Sequence, residues 1–186
     1  MSDRHTFRAY WHDYNGGIYF VTICTHQKQH VFGDISNGHI NYSIIGKIVL
    51  KCLHSIPKHN KDVELWNYII MPNHIHMVLA VGAQYFAPAT DAAPNTGCLK
   101  PPSHGEPCAD NHFNSRLAVI VRSFKAACSI TINRQRRAQN IAPLPAVWQR
   151  NYHEHIIRNQ KAYENIMSYI DNNVATWNDD CFNMIN

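Results

Sequence analysis

The chain has 186 residues, 45% of them hydrophobic, with a formal net charge of +4 and a pI near 8.7. That length and apolar fraction suit a single domain of ordinary size and exclude global disorder, while the mild positive charge permits a polyanionic partner without requiring one. No apolar run approaches the roughly 20 residues of a membrane span, the N-terminus "MSDRHTFRAY" has no apolar secretory segment, and six cysteines without a CxxC pair read as free thiols, so the expectation is a cytoplasmic protein with no membrane association.

The first predicted element is a strand over Ile18–Thr25, in "GGIYFVTICTH", which is rich in aromatic and β-branched residues. Turn signals at Gly33 and Asn37-Gly38 predict a short hairpin beside the sheet. Apolar residues at Ile44, Ile45, Ile48, Val49, Cys52, Leu53 and Ile56 have helical spacing, with Ser43 as N-cap and Pro57 marking the end. "VELWNYIIMPNHIHMVLAV" reads as two strands joined tightly at Met71-Pro72-Asn73, the second spanning His74–Val81. Residues 83–112 hold most of the prolines and show no periodicity, which predicts a long flexible insertion and not a domain boundary. A second helix follows in "NSRLAVIVRSFKAACSITINRQRR", apolar at Leu117, Ile120, Val121, Phe124, Ala127, Cys128 and Ile132. "AVWQRNYHEHIIR" is a fourth strand, and "NQKAYENIMSYIDNNVATW" is a third helix with Ile166, Ile170 and Val174 as its apolar stripe.

This order matches the split βαβ, ferredoxin-like arrangement. The expected fold is α+β: an antiparallel sheet with two helices on one face and an added C-terminal helix, in a single domain over residues 1–186. A site on the second face would lie between the sheet and the third helix.

Side chains alternate across a strand, so His74 and His76 share one face while Ile75, Met77 and Leu79 share the other. Two imidazoles at adjacent same-face positions can both reach one divalent ion. The same pattern also arises from hydrogen-bonded structural histidines, and 13 histidines in the chain will produce close pairs by chance. Tyr169 and Asn173 are four apart, so they share a face of the third helix beside its apolar stripe, with Tyr163 turned away. A tyrosine beside such a stripe is most often a packing residue.

"MPNHIHMVL", "VRSFKAA", "WQRNYHEHIIRN" and "YIDNN" followed by Trp177 occur in one order and spacing. Together they resemble the HUH single-tyrosine transposases, and within them the REP-associated branch, over about Tyr10 to Trp177 without the proline-rich stretch. The resemblance implies a ferredoxin-like sheet with the nucleophile on a following helix. It implies His74, His76 and Asn173 as ligands of a magnesium or manganese ion and Tyr169 as the catalytic tyrosine. It further implies cleavage of single-stranded DNA near hairpin-forming repeats through a 5′-phosphotyrosine intermediate, by a monomer or a homodimer. The chain departs from the family where relatives often carry Asn-Pro. Here Asn173-Val174 continues helical sequence, and the helix is expected to run to Trp177.

His153 and His155 form a second H-x-H on the fourth strand, and His155 is expected to support the metal or the tyrosine, or to contact DNA. The basic residues Arg122 and Lys125, the cluster Arg134, Arg136 and Arg137 placed just after the second helix, and Arg150 and Arg158 are candidate phosphate contacts. For the Arg134 cluster, the favourable field at a helix C-terminus is an equal explanation. Two other readings stand beside the strand transferase. One is a domesticated single-stranded nucleic-acid-binding module without turnover. The other is a metal-binding protein unrelated to nucleic acid.

Overall fold

A computed structural model describes His12, residues 14–82 and residues 115–183. Tyr10 and the proline-rich stretch at 83–112 lie outside the described residues. The elements run β1 (Gly17–Cys24), β2 (Gly33–Ser36), β3 (His39–Tyr42), α1 (Ile44–Leu53), α2 (Ile56–His59), β4 (Val63–Ile70), β5 (His74–Val81), α3 (Arg116–Ala138), β6 (His153–Ile157) and α4 (Gln160–Asn172). Short 3-10 turns at His26–Lys28 and Trp177–Asp179 follow β1 and α4.

Four strands pair antiparallel in the order β4-β5-β1-β6, and β2-β3 forms a separate hairpin. β1 and β4 therefore flank β5, the split arrangement expected from the order of elements. The hairpin turns at Asn37 and Gly38 with φ of 52° and 73°, the left-handed geometry that this residue pair favours.

Each main helix starts on a side chain that accepts an otherwise unpaired backbone N–H. Ser43 Oγ accepts from Gly46 N at 3.0 Å, Ser115 Oγ from Ala118 N at 3.4 Å, and Asn159 Oδ1 from Ala162 N at 2.8 Å. Pro57 does not end α1. It lies in the first turn of α2, where a missing N–H costs no helical bond. The fourth strand is also shorter than predicted, because only five residues pair and Trp148 contributes an isolated bridge to Thr25.

Alternation along the strands separates two apolar layers. Tyr19, Val21 and Ile23 of β1 with Ile75, Met77 and Leu79 of β5 pack against Val49 and Leu53 of α1 and against the apolar side of α3. On the other face, Val78 and Ile157 meet Ile170 of α4, joined by Phe20, Trp66, Ile166 and Met167. A bulge between Leu65 and Asn67 lets both Trp66 and Asn67 reach α4. Tyr163 packs edge-on against Trp66 at 5.7 Å.

α4 ends at Asn172, not at Trp177. Thr176 Oγ1 bonds back to Asn172 O at 3.2 Å, and the chain then turns so that Trp177 is buried beside His30 and His74. Val174, expected in the stripe, lies beyond the helix.

Ile170 is the only buried side chain of α4, so Ile170→Ala should lower stability to denaturant by about 2–5 kcal/mol. Ile130→Ala, at a position on α3 that is 68% exposed, should stay within about 0.5 kcal/mol of the parent. Equal effects of the two would contradict the docking of α4 on the sheet.

Candidate active site

β5 is buried along all eight residues, because α3 covers one face and α4 with the following segment covers the other. Its two imidazoles are 0% and 2% exposed, for His74 and His76 respectively. Their ring centroids are 4.5 Å apart.

The two rings have different partners. His74 Nδ1 lies 2.9 Å from Asn73 Oδ1, and the ring is flanked by Phe182 at 4.5 Å and Trp177 at 5.9 Å. His74 Nε2 has no hydrogen-bond partner; the nearest acidic oxygen, Asp180 Oδ2, is 3.9 Å away. His76 Nδ1 meets Thr22 Oγ1 at 2.8 Å, and its Nε2 meets the Tyr169 hydroxyl at 3.2 Å. Phe20 stacks on His76 at 5.1 Å and meets Tyr169 edge-on at 6.0 Å. Asn173, the residue that caps α4, is 1% exposed and its Oδ1 has no hydrogen-bond partner.

Burial holds both histidines far below the ordinary imidazole value, His74 at about 2, with His76 and Lys28 adding to the effect, and His76 at about 3. Both are therefore neutral at physiological pH, and the approach of Asp180 to His74 is not an ion pair. Burial also pushes the Tyr169 phenol up, opposed by a hydrogen bond from Asn173 and reinforced by the charge of Asp180. Tyr169 is 42% exposed, so its hydroxyl stands at the border between the buried rings and solvent.

A divalent cation needs neutral imidazole nitrogens and oxygen lone pairs. Two buried atoms of that kind lack partners here, His74 Nε2 and Asn173 Oδ1, and an unsatisfied buried polar atom is uncommon enough to need a cause. The residues fit such an ion. Among the described residues, no group of three or more His, Cys, Asp and Glu side chains is placed to hold a metal, so the fit depends on the Asn173 amide joining the imidazoles.

The fold brings His74, His76, Tyr169 and Asn173 together. His155 pairs with Phe20 across β1 and β6, and His153 pairs with Thr22, so both stand exposed on the same sheet face, with β1 between them and the strand of the buried rings. Arg122, Arg134, Arg136 and Arg137 all belong to α3, in the layer behind the sheet. The Arg134 cluster lies inside the last turns of that helix, not after it, and Arg136 Nε donates to Ala142 O at 2.7 Å. Lys125, a candidate phosphate contact, is half-buried, and its ammonium donates to the carbonyls of Gln149, Arg150 and Asn151 at 2.8, 3.4 and 2.9 Å. Arg150 and Arg158 are exposed on either side of β6.

The sequence assigns Thr22 and Asp180 no place beside the imidazoles and marks Asn73 only as a turn residue. Asn73 directly precedes the histidine pair, which is the one signal that could have marked it. Thr22 and Asp180 reach the rings only through strand pairing and the turn after α4.

No protein-family model matches the chain. A protein of Haemophilus influenzae, described as uncharacterized, is 32% identical over 178 residues, which cover 95% of this chain and 91% of that one. The two chains belong to one family. The fold of this chain is similar to that of a solved structure, the REP-associated tyrosine transposase bound to a REP hairpin. The match has a TM-score of 0.54 at 17% identity and covers 95% of this chain and 74% of that one. Among the described residues, no helix is long and apolar enough to cross a membrane.

The buried imidazoles make a pH prediction with a definite sign. Their folded values lie below the unfolded value near 6.5, so the unfolded chain binds more protons between those limits. Stability is complete above pH 6.5 and falls as pH drops towards 3, by at most about 1.4 kcal/mol per pH unit for each ring. Denaturant unfolding at pH 7.5, 6 and 5 should show a steeper loss in the parent than in His74→Gln. Parallel profiles would contradict the burial of a neutral His74.

Proposed function

We propose that this protein is a transposase of the HUH single-tyrosine superfamily, in its REP-associated branch. It nicks and rejoins single-stranded DNA at hairpin-forming repeats with the help of a divalent cation. The observation that carries this reading is the Tyr169 hydroxyl 3.2 Å from His76 Nε2, beside two buried atoms without partners, His74 Nε2 and Asn173 Oδ1.

His74, His76 and Asn173 would hold magnesium or manganese. When bound, the ion supplies charge stabilisation at a non-bridging phosphate oxygen and fixes the scissile phosphate. His76 Nε2 has a single lone pair, so the phenol that lies 3.2 Å from it would give up that hydrogen bond when the ion is held and would stay beside the ion as the nucleophile. A phenol is a weak nucleophile at its ordinary pKa of about 10, and burial raises it further, so its ionisation depends on positive charge nearby. Its exposed side lets the proton leave to water.

Tyr169 Oη then attacks phosphorus. The new bond joins phosphorus to the phenolic oxygen, and the bond from phosphorus to the 3′-oxygen breaks. The 3′-oxygen leaves and takes up a proton as a free 3′-hydroxyl. The 5′-phosphotyrosine conserves the energy of the phosphodiester, so attack by a 3′-hydroxyl reverses the step and rejoins a strand without ATP.

His153 and His155 line the open side of the same face, and the exposed Arg150 and Arg158 precede and follow their strand in the chain. We assign the single strand to this side. The α3 arginines face away from it.

Incubation with a hairpin-bearing oligonucleotide and Mn2+ should yield a covalent protein–DNA adduct, detected as a denaturation-resistant shift. Tyr169→Phe should lower it by a factor of at least roughly 10³. An undiminished adduct in that variant would sink the assignment of the nucleophile. Salt-dependent hairpin binding with no adduct from the parent protein would favour the binding module without turnover.

A further inference from the structure

Asn73 reads as a turn residue in the sequence, yet its side chain is 1% exposed and makes three polar contacts at the edge of the site. Its Nδ2 lies 3.1 Å from Lys28 O and 2.7 Å from Phe182 O. Both partners are backbone carbonyls, which only accept. That end of the amide must therefore be the NH2 group. The other end, Oδ1, only accepts, and it lies 2.9 Å from His74 Nδ1. The proton of neutral His74 is therefore on Nδ1, and Nε2 carries a bare lone pair.

The alternatives fail on the same contacts. Reversing the amide would set its oxygen against two carbonyl oxygens. Moving the proton to Nε2 would bury an N–H whose nearest carboxylate oxygen, on Asp180, is 3.9 Å away, beyond hydrogen-bonding reach. His76 has no comparable arbiter. Its neighbours are the hydroxyls of Thr22 and Tyr169, and each can donate or accept.

We propose that Asn73 is a positioning residue that locks His74 in its Nδ1–H tautomer, so that Nε2 always presents a lone pair to the cation site. The inference deepens the proposed function and rests on it for the cation. The lock is built from separate parts of the chain. Lys28 belongs to the 3-10 turn after β1, and Phe182 follows the turn beyond α4. The backbone carbonyl of Asn73 is itself fixed, accepting from Thr25 N at 2.9 Å and Thr25 Oγ1 at 3.0 Å. A metal-bound imidazole is commonly oriented by a partner on its other nitrogen, and loss of that partner typically lowers metal affinity about 10–100-fold.

The test reads the tautomer directly. Metal-free protein labelled with 15N-histidine gives a two-bond 1H–15N spectrum, with the His74 signals assigned by their loss in His74→Gln. The expected pattern has a protonated Nδ1 and a bare Nε2. A proton on Nε2 in the parent overturns the proposal, and this result requires no Asn73 variant to fold. Mn2+ affinity by electron paramagnetic resonance should fall roughly 10–100-fold in Asn73→Ala. Unchanged affinity in Asn73→Ala, with far-UV circular dichroism confirming the fold, overturns the positioning role. A parent that binds no Mn2+ yet shows the Nδ1–H pattern upholds the tautomer lock and refutes the cation of the preceding section.

Discussion

Burial of β5 on both faces is the constraint from which the site follows. A central strand with all eight residues buried has no water to solvate its polar side chains. Its two histidines must therefore be neutral and must find partners within the fold. Three of their four ring nitrogens do so, on Asn73, Thr22 and Tyr169. The fourth, His74 Nε2, does not, and Asn173 Oδ1 shares that condition. Leaving a buried polar atom unpaired costs about 1–3 kcal/mol, so two such atoms, on residues that each neighbour the His76–Tyr169 pair, are hard to ascribe to packing alone.

α4 does two things with one apolar contact. Ile170 seats the helix on the sheet, and that seating holds Tyr169 against His76 and sinks Asn173 beneath the surface. The helix ends at Asn172, so the third candidate ligand is a capping residue, held by the turn that follows it. Tyr169 keeps an exposed flank in this arrangement, which leaves its hydroxyl accessible for the role proposed for it.

The fold was legible in the sequence because its signals are local. Alternation in "HIHMVLAV" assigned Ile75, Met77 and Leu79 to the helix layer and the imidazoles to the opposite face, and the two apolar clusters divide that way. The Ile166/Ile170 stripe likewise placed the tyrosine helix on the sheet. Boundaries were less legible. Pro57 breaks a helix in most interior positions but begins one here, and the Thr176 back-bond and the burial of Trp177 stop α4 where helical propensity would continue it. Charge was the weakest guide. Lys125 carries the same formal charge as a phosphate contact, and only the three carbonyls around its ammonium reveal that it braces the loop before β6. Asn73 was invisible for a related reason: what it does depends on Lys28 and Phe182, which are far from it in the chain.

The central claim is that the unpartnered atoms of His74 and Asn173 form a cation site against the tyrosine. A crystal soaked in Mn2+ and measured at an energy where manganese scatters anomalously tests it most directly. The account predicts one strong anomalous peak at roughly 2.0–2.3 Å from His74 Nε2 and from Asn173 Oδ1, distances usual for nitrogen and oxygen ligands of such ions. Full manganese occupancy elsewhere, or no peak at this site at saturating manganese, would contradict it.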